Sequence, residues 1–258
     1  SAFGLTEPNA GSDVAGIQTL ARREGDCYVL SGRKTFITNG DIADHVVVAA
    51  VTDRGQGPKG ISLFIVERDT PGFSVSRRKE TMGWCASHTA ELLFEDCRVP
   101  VANLLGKENQ GFYHLMGGLN QGRICIGAMS VGLAQAALDE ALRYARERSQ
   151  FGRTLSQFQA IRFKLADIAT EIEAARKLLH WAAETVDGDP GGGARASSMA
   201  KLFASEMANR VVHEALQVFG GYGYTVEYPI ERLYRGVRVL KIVEGTSEVQ
   251  REIIAKQL

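Results

Sequence analysis

The stretch IRFKLADIATEIEAARKLL, from Ile161 to Leu179, decides the character of the second half of the chain. Its apolar residues Ile161, Leu165, Ile168, Ile172, Ala175 and Leu179 step by four and three, the spacing that draws one stripe along an α-helix. The spacing predicts a helix from about Ser156 to Val186, with that face packed on other helices. Upstream, Phe112 to Arg148 reads as a second long helix. Downstream, Asp187 to Ala194 gathers Asp, Pro and four glycines. A glycine run can wrap a phosphate, but no strand precedes this one and no Lys-Ser or Lys-Thr follows, as a P-loop requires, so it reads as an interhelical loop. Helical stretches from Gly111 to Leu258 then suggest a bundle of four or so long helices.

Before the Gly106 to Gly111 turn the period is different. Cys27 to Leu30, His45 to Val51, Ile61 to Val66 and Glu91 to Phe94 are short β-rich runs. Turn clusters at Pro8 to Asp13, Thr38 to Asp41, Gly55 to Gly60 and Thr70 to Gly72 separate them. The expected fold is α+β: an N-terminal antiparallel β domain over residues 1–103, sandwich-like or barrel-like, then a four-helix-bundle-like domain over residues 104–258.

Composition narrows the function. The chain has 258 residues, 45% of them hydrophobic, with 30 basic and 30 acidic side chains that cancel. A field of one sign that would recruit nucleic acid or an anionic membrane is therefore not expected. Cys27, Cys85, Cys97 and Cys125 lie far apart, which predicts free buried thiols in a reducing compartment. His45, His88, His114, His180 and His213 lack ligand spacing, so no metal is expected. No apolar run reaches the roughly 18 uncharged residues of a spanning helix, so membrane insertion is not expected. Ser1 marks a processing point, a cloning boundary or a break in a longer chain.

Four separated segments carry the chemistry. They are Phe3-Gly-Leu-Thr-Glu-Pro-Asn-Ala-Gly-Ser-Asp13, Gly32-Arg-Lys-Thr-Phe-Ile-Thr-Asn-Gly40, Arg148-Ser-Gln-Phe-Gly152, and Gln217-Val-Phe-Gly-Gly-Tyr-Gly-Tyr224 with Glu244-Gly-Thr-Ser-Glu248. In this order and at these separations the chain resembles the middle and C-terminal domains of acyl-CoA dehydrogenases, over essentially its whole length. Family members normally begin with a further helical domain, which is absent from this sequence.

The resemblance implies FAD as cofactor and α,β-desaturation of an acyl-CoA thioester. It also implies electron-transfer flavoprotein as acceptor and a homo-oligomer, tetramer or dimer, that shares its FAD sites. The setting is then bacterial cytoplasm or mitochondrial matrix. An oxygen-using oxidase of the same fold, or a non-catalytic flavin-binding homologue, is the competing expectation. In the first segment Phe3, Leu5, Thr6, Gly11 and Ser12 would line FAD, with Ser12 also near the CoA side, although Thr6 or Ser12 could equally be plain caps. Phe36 and Thr38 lie two apart and share a strand face, so a ring could pack on the flavin while a hydroxyl reaches it. Phe36 stands where many members carry Trp, and burial in a strand core would serve it as well.

By the same resemblance Arg148, Phe151, Phe158, Gln159, Gln217, Gly220 and Gly221 reach the FAD of a neighbouring subunit, and Thr246 and Glu248 also contact cofactor. Gly220 and Gly221 also read as helix terminators. Glu244 is implied as the base that removes the α-proton, its backbone amide and an FAD ribityl hydroxyl holding the thioester carbonyl. Some members place the base at the position held here by Gly122, which cannot act. Asn120, Arg123, Gly245 and Ser12 are implied on the substrate side, while an ordinary solvated helix arginine is the plain alternative for Arg123.

Overall fold

β-branched runs such as His45-Val-Val-Val-Ala-Ala-Val51 are too short for helices and form strands instead. The computed structural model describes residues 1–188 and 193–258. Among them, β1 (Ala2–Gly4), β2 (Leu20–Glu24), β3 (Cys27–Thr38), β4 (His45–Val51), β5 (Ile61–Glu67), β6 (Phe73–Arg78), β7 (Thr89–Pro100) and β8 (Leu104–Leu105) make one sheet. Its order is β6-β7-β3-β2-β4-β5-β8, with β1 paired to β4. The expected all-antiparallel sheet is corrected to a mixed one, because β1 and β2 both run parallel to β4. They reach it through long connections rather than hairpins, as parallel neighbours must.

Val46, Val48 and Ala50 of β4 pack with Tyr28, Leu30, Phe64, Val66, Leu92 and Phe94 on one face of the sheet. On the other, Ala49, Val51, Ile61 and Leu63 meet Ala10, Ile17 and Leu115. Burial on both faces is why β4 and β5 read as continuous apolar runs. Cys27 and Cys97 are buried as expected, whereas Cys85 and Cys125 are exposed.

The helical part comprises α1 (Gly111–Glu147), a short hairpin of β9 (Ser149–Gln150) and β10 (Arg153–Thr154), α2 (Gln159–Gly188), α3 (Gly193–Phe219), α4 (Pro229–Val237) and α5 (Ser247–Ala255). The stripe on α2 buries Leu165, Ile168, Ile172, Ala175 and Leu179 as its spacing requires, while Ile161 is half-buried. α3 runs along α2, and α4 and α5 both pack on α3. Three of the described helices are long and two are short, because Gly220 and Gly221 end α3 and Pro229 must start a new helix. Of the loop expected over Asp187 to Ala194, residues 189–192 lie outside the described residues.

The chain divides into two units, Ser1–Met116 and Gly117–Leu258. The division falls inside α1 rather than at the turn before it, since Phe112, Leu115 and Met116 pack into the core of the first unit. α1 is long and apolar enough to cross a membrane by length and composition alone. Its Ala134, Ala137, Ala141 and Ala145 are fully buried in the protein, the pattern of a core helix.

Candidate active site

Glu244 and Gly245 form the turn that leads into α5, and both are left-handed, with φ of 54° and 90°. That region costs an ordinary residue about 1–2 kcal/mol, so something must hold Glu244 there. Gln250, fully buried on α5, donates its amide to the Glu244 carbonyl at 2.9 Å and to the Gly245 carbonyl at 3.0 Å. Lys201 of α3, 0% exposed, donates its ammonium to the Gly245 carbonyl at 2.7 Å. Thr246 caps α5 by accepting the Val249 amide at 3.3 Å. A side chain at position 245 would also collide with Gln250, because a Cβ there falls 2.6 Å from its Nε2.

The Glu244 carboxylate rests against α1 where α1 has no side chain: a Cβ on Gly122 would lie 2.7 Å from Oε2. The next residue, Arg123, is only 5% exposed and is therefore not a solvated helix arginine. It donates Nη1 to the Asn120 side-chain oxygen at 2.9 Å, and its Nε is buried without a partner among the described residues. Burial lifts the Glu244 pKa above the ordinary carboxylate value, against the opposing pull of Arg123 and Lys201. Burial also pushes Lys201 down to about 8 despite the charge of Glu244, and lowers Arg123 against the same charge. The result is a half-buried carboxylate with raised proton affinity, flanked by two buried cations.

A cavity of about 490 Å³ elsewhere in the helical unit brings together Arg148, Gln217, Gly220 and Gly221, with Tyr144, Gln150, Leu155 and Tyr222 also on its wall. The Arg148 guanidinium stands 5.5 Å from the centre of the Tyr222 ring. Gly220 is left-handed, and a Cβ on it or on Gly221 would meet nothing within 4 Å. A cation, bare backbone and an aromatic ring around one space suit the pyrophosphate and aromatic parts of a dinucleotide. Phe151, Phe158 and Gln159 are not on that wall. Phe151 is 94% exposed on the β9–β10 turn, its ring 6.3 Å from Phe158, and Gln159 is exposed at the start of α2. Thr246 is the cap described above and Glu248 is exposed in the first turn of α5.

In the first unit Phe3 is exposed on β1, Leu5 and Thr6 are half-buried, and Gly11 and Ser12 lie on an exposed turn. Thr6 also accepts the Thr35 amide through its carbonyl at 2.8 Å. Phe36 and Thr38 are both exposed although their neighbours Thr35 and Ile37 are buried. Phe36 sits at a bulge between Lys34 and Ile37 with φ of 58°, which turns its ring outward to 65% exposure, with the Lys79 ammonium 5.0 Å from its centre. An outward aromatic beside a hydroxyl on one strand can receive a flat ring system.

Sequence reading missed Lys201 and Gln250. The signal for Lys201 was present, because Ser197 and Ser205, four residues to either side, and Ala208 make its helix face one of small residues. A solvated lysine has no need of such a face.

Residues 2–97 match the family model for the acyl-CoA dehydrogenase middle domain, and residues 109–258 match that for the acyl-CoA dehydrogenase C-terminal domain. The fold and the matched residues together define a flavin-dependent oxidoreductase. The chain belongs to the acyl-CoA dehydrogenase family. It is 49% identical over 257 residues to an acyl-CoA dehydrogenase of Bacillus subtilis (strain 168), covering 100% of this chain and 68% of that protein. It is 46% identical over 257 residues to the caffeyl-CoA reductase-Etf complex subunit CarC of Acetobacterium woodii, covering 100% of this chain and 68% of that one. Among solved structures, butyryl-CoA dehydrogenase from Megasphaera elsdenii superposes with a TM-score of 0.96 at 47% identity, over 99% of this chain and 67% of the other.

Proposed function

We propose that the protein carries out FAD-dependent α,β-desaturation of an acyl-CoA thioester, with Glu244 as the base. The observation that carries this reading is the Glu244 carboxylate seated against Gly122, raised in proton affinity by burial and bordered by Arg123 and Lys201. An α-proton beside a thioester is weakly acidic, so its base must gain affinity for the proton as water leaves. Glu244 takes the α-proton onto a carboxylate oxygen, the Cα–H bond breaks, and its electron pair becomes the new double bond as hydride departs from Cβ. The acceptor for that hydride would be supplied by FAD, at flavin N5, when held by the residues named below. The Glu244 backbone amide is the proposed donor to the thioester carbonyl, stabilising the charge that develops there.

Phe3, Leu5, Thr6, Gly11, Ser12, Phe36 and Thr38 of the first unit are proposed to hold FAD. In the second unit the same role falls to Arg148, Phe151, Phe158, Gln159, Gln217, Gly220, Gly221, Thr246 and Glu248, part of it toward the FAD of a neighbouring copy. Asn120, Arg123, Gly245 and Ser12 are proposed for the substrate. Electron-transfer flavoprotein is the proposed acceptor, a reading that the Etf-complex relative supports.

The test is anaerobic addition of acyl-CoAs of several chain lengths to the purified yellow protein. Bleaching of the flavin absorbance, with colour restored by electron-transfer flavoprotein, is the expected result. A flavin that no acyl-CoA bleaches would overturn it, and strong peroxide release on turnover in air would make the enzyme an oxidase instead.

Gly122→Ala probes the seat of the base. The new methyl would fall 2.7 Å from Oε2, so the flexible carboxylate has to move while α1 gains helix propensity of about 1 kcal/mol. The unfolding midpoint should hold or rise, and kcat should fall about 10- to 100-fold, the sensitivity of a reacting group displaced by about an ångström. Unchanged kcat would show that the carboxylate works from another position.

A further inference from the structure

We propose that Lys201 is a positioning residue of the catalytic turn: its ammonium fixes the Gly245 carbonyl, and thereby the Glu244 carboxylate, while supplying that carboxylate with positive charge. The inference rests on the reading of Glu244 as the base.

A fully buried lysine is costly, and proteins ordinarily offset the cost with a carboxylate in contact. Lys34 follows that rule, 2.7 Å from Glu7. Lys201 does not. Its hydrogen bond goes to a neutral carbonyl, that of Gly245, and among the described residues it makes no ion pair within 4.0 Å. A methionine would fill the same volume without the desolvation. The charge is retained at the one turn that holds Glu244 left-handed, where a charge-assisted bond outweighs a neutral one about twofold.

The charges that face this ammonium are Glu244, Arg123 of α1, Glu206 of α3 and Glu248 of α5. Glu206 is already engaged by Lys241 at 2.6 Å and Arg251 at 3.7 Å, and Glu248 is exposed at the start of α5. The charges acting on Glu244 itself are the two cations Arg123 and Lys201. Removing Lys201 leaves the Gly245 carbonyl with Gln250 alone, frees a strained turn to relax, and takes away one of the two cations that keep Glu244 ionised. The sign follows: Lys201 lowers the Glu244 pKa, so its loss must raise it.

The experiment compares Lys201→Met and Lys201→Arg in the intact, FAD-loaded protein. Lys201→Met should keep its flavin colour, lose about 10- to 100-fold in kcat, and move the acid limb of kcat/KM upward by about one pH unit, the scale of a nearby opposite charge. Lys201→Arg should return the acid limb to its original place. Infrared titration of the Glu244 carboxyl band, identified against Glu244→Gln, should show the same shift without turnover. If Lys201→Met cannot hold flavin, Lys201→Gln keeps a donor for the Gly245 carbonyl without the charge and carries the same test. A lowered kcat with unmoved acid limb and infrared band would overturn the proposal and leave a merely structural lysine. If Glu244→Gln stays active, the base reading itself falls, and the two failures are told apart.

Discussion

Glu244→Gln should yield a yellow protein that acyl-CoA cannot bleach. Glutamine matches glutamate in shape, so the contact with Gly122 and the grip of Lys201 and Gln250 on the turn persist. What disappears is the proton acceptor. General-base catalysis is worth about two to four orders of magnitude, and turnover should fall by at least that much while flavin content stays near one per chain. The change also strips Arg123 and Lys201 of the carboxylate that opposes their deprotonation, so Lys201 should shed its proton more readily than in the parent. In the parent enzyme the base must be ionised, and burial raises its pKa. Hence kcat/KM should fall as pH drops through that raised value, and no such limb should remain in the residual activity of the glutamine variant. Near-normal turnover by Glu244→Gln would move the base elsewhere.

How far the sequence discloses this site depends on whether a residue's role is local. The stripe on α2 was legible because period 3.6 is a property of neighbours along the chain, and its interior positions are indeed buried. Strands β4 and β5 were legible for the same reason, whereas β2, Leu-Ala-Arg-Arg-Glu, carries charge and no alternation, and β6, Phe-Ser-Val-Ser-Arg-Arg, alternates over only four residues before two arginines. Their pairing is decided by β3 and β7 beside them. Parallel pairing of β1 with β4 joins residues more than forty positions apart, beyond any window. Phe36 shows a subtler limit: alternation put it on the face of Thr38, but a bulge and a left-handed backbone give it its exposure. Arg123 was legible only through the family resemblance, and Lys201 only through the small residues that share its helix face; that both are buried is a fact of three dimensions.

The largest expected effect on stability lies at the other buried lysine. Lys34→Met should cost about 3–5 kcal/mol at neutral pH, the usual penalty for leaving half of a buried ion pair behind. Lys34 is 0% exposed and donates to Glu7 Oε1 at 2.7 Å and to the Leu5 carbonyl at 3.1 Å. Glu7 also accepts the amides of Gln18 at 2.6 Å and Thr19 at 2.9 Å, so one carboxylate ties the segment carrying Leu5 and Thr6 to β3 and to the chain before β2. Burial works to raise the Glu7 pKa, and Lys34 with these donors overcomes it, leaving it below the ordinary value. In the parent, then, Glu7 contributes stability above its unfolded pKa and loses it as pH falls through the folded one. Without Lys34, burial, the largest influence on Glu7, is opposed only by the Thr19 and Gln18 donors, so the expected result is a folded pKa above the unfolded one and a reversed sign: the variant should recover stability as pH is lowered from 7 toward 5 while the parent does not gain. Adding Glu7→Gln to Lys34→Met should restore much of the loss, since the neutral amide keeps an oxygen to accept the Gln18 and Thr19 amides and carries no stranded charge. Urea denaturation at pH 7 and pH 5 measures all of this, and flavin retention reports separately on the loop: if Leu5 and Thr6 hold FAD, the single variant should bind it more weakly even at pH 5, where much of the fold stability has returned. A Lys34→Met protein as stable as the parent at pH 7 would mean that the pair contributes nothing net to the fold.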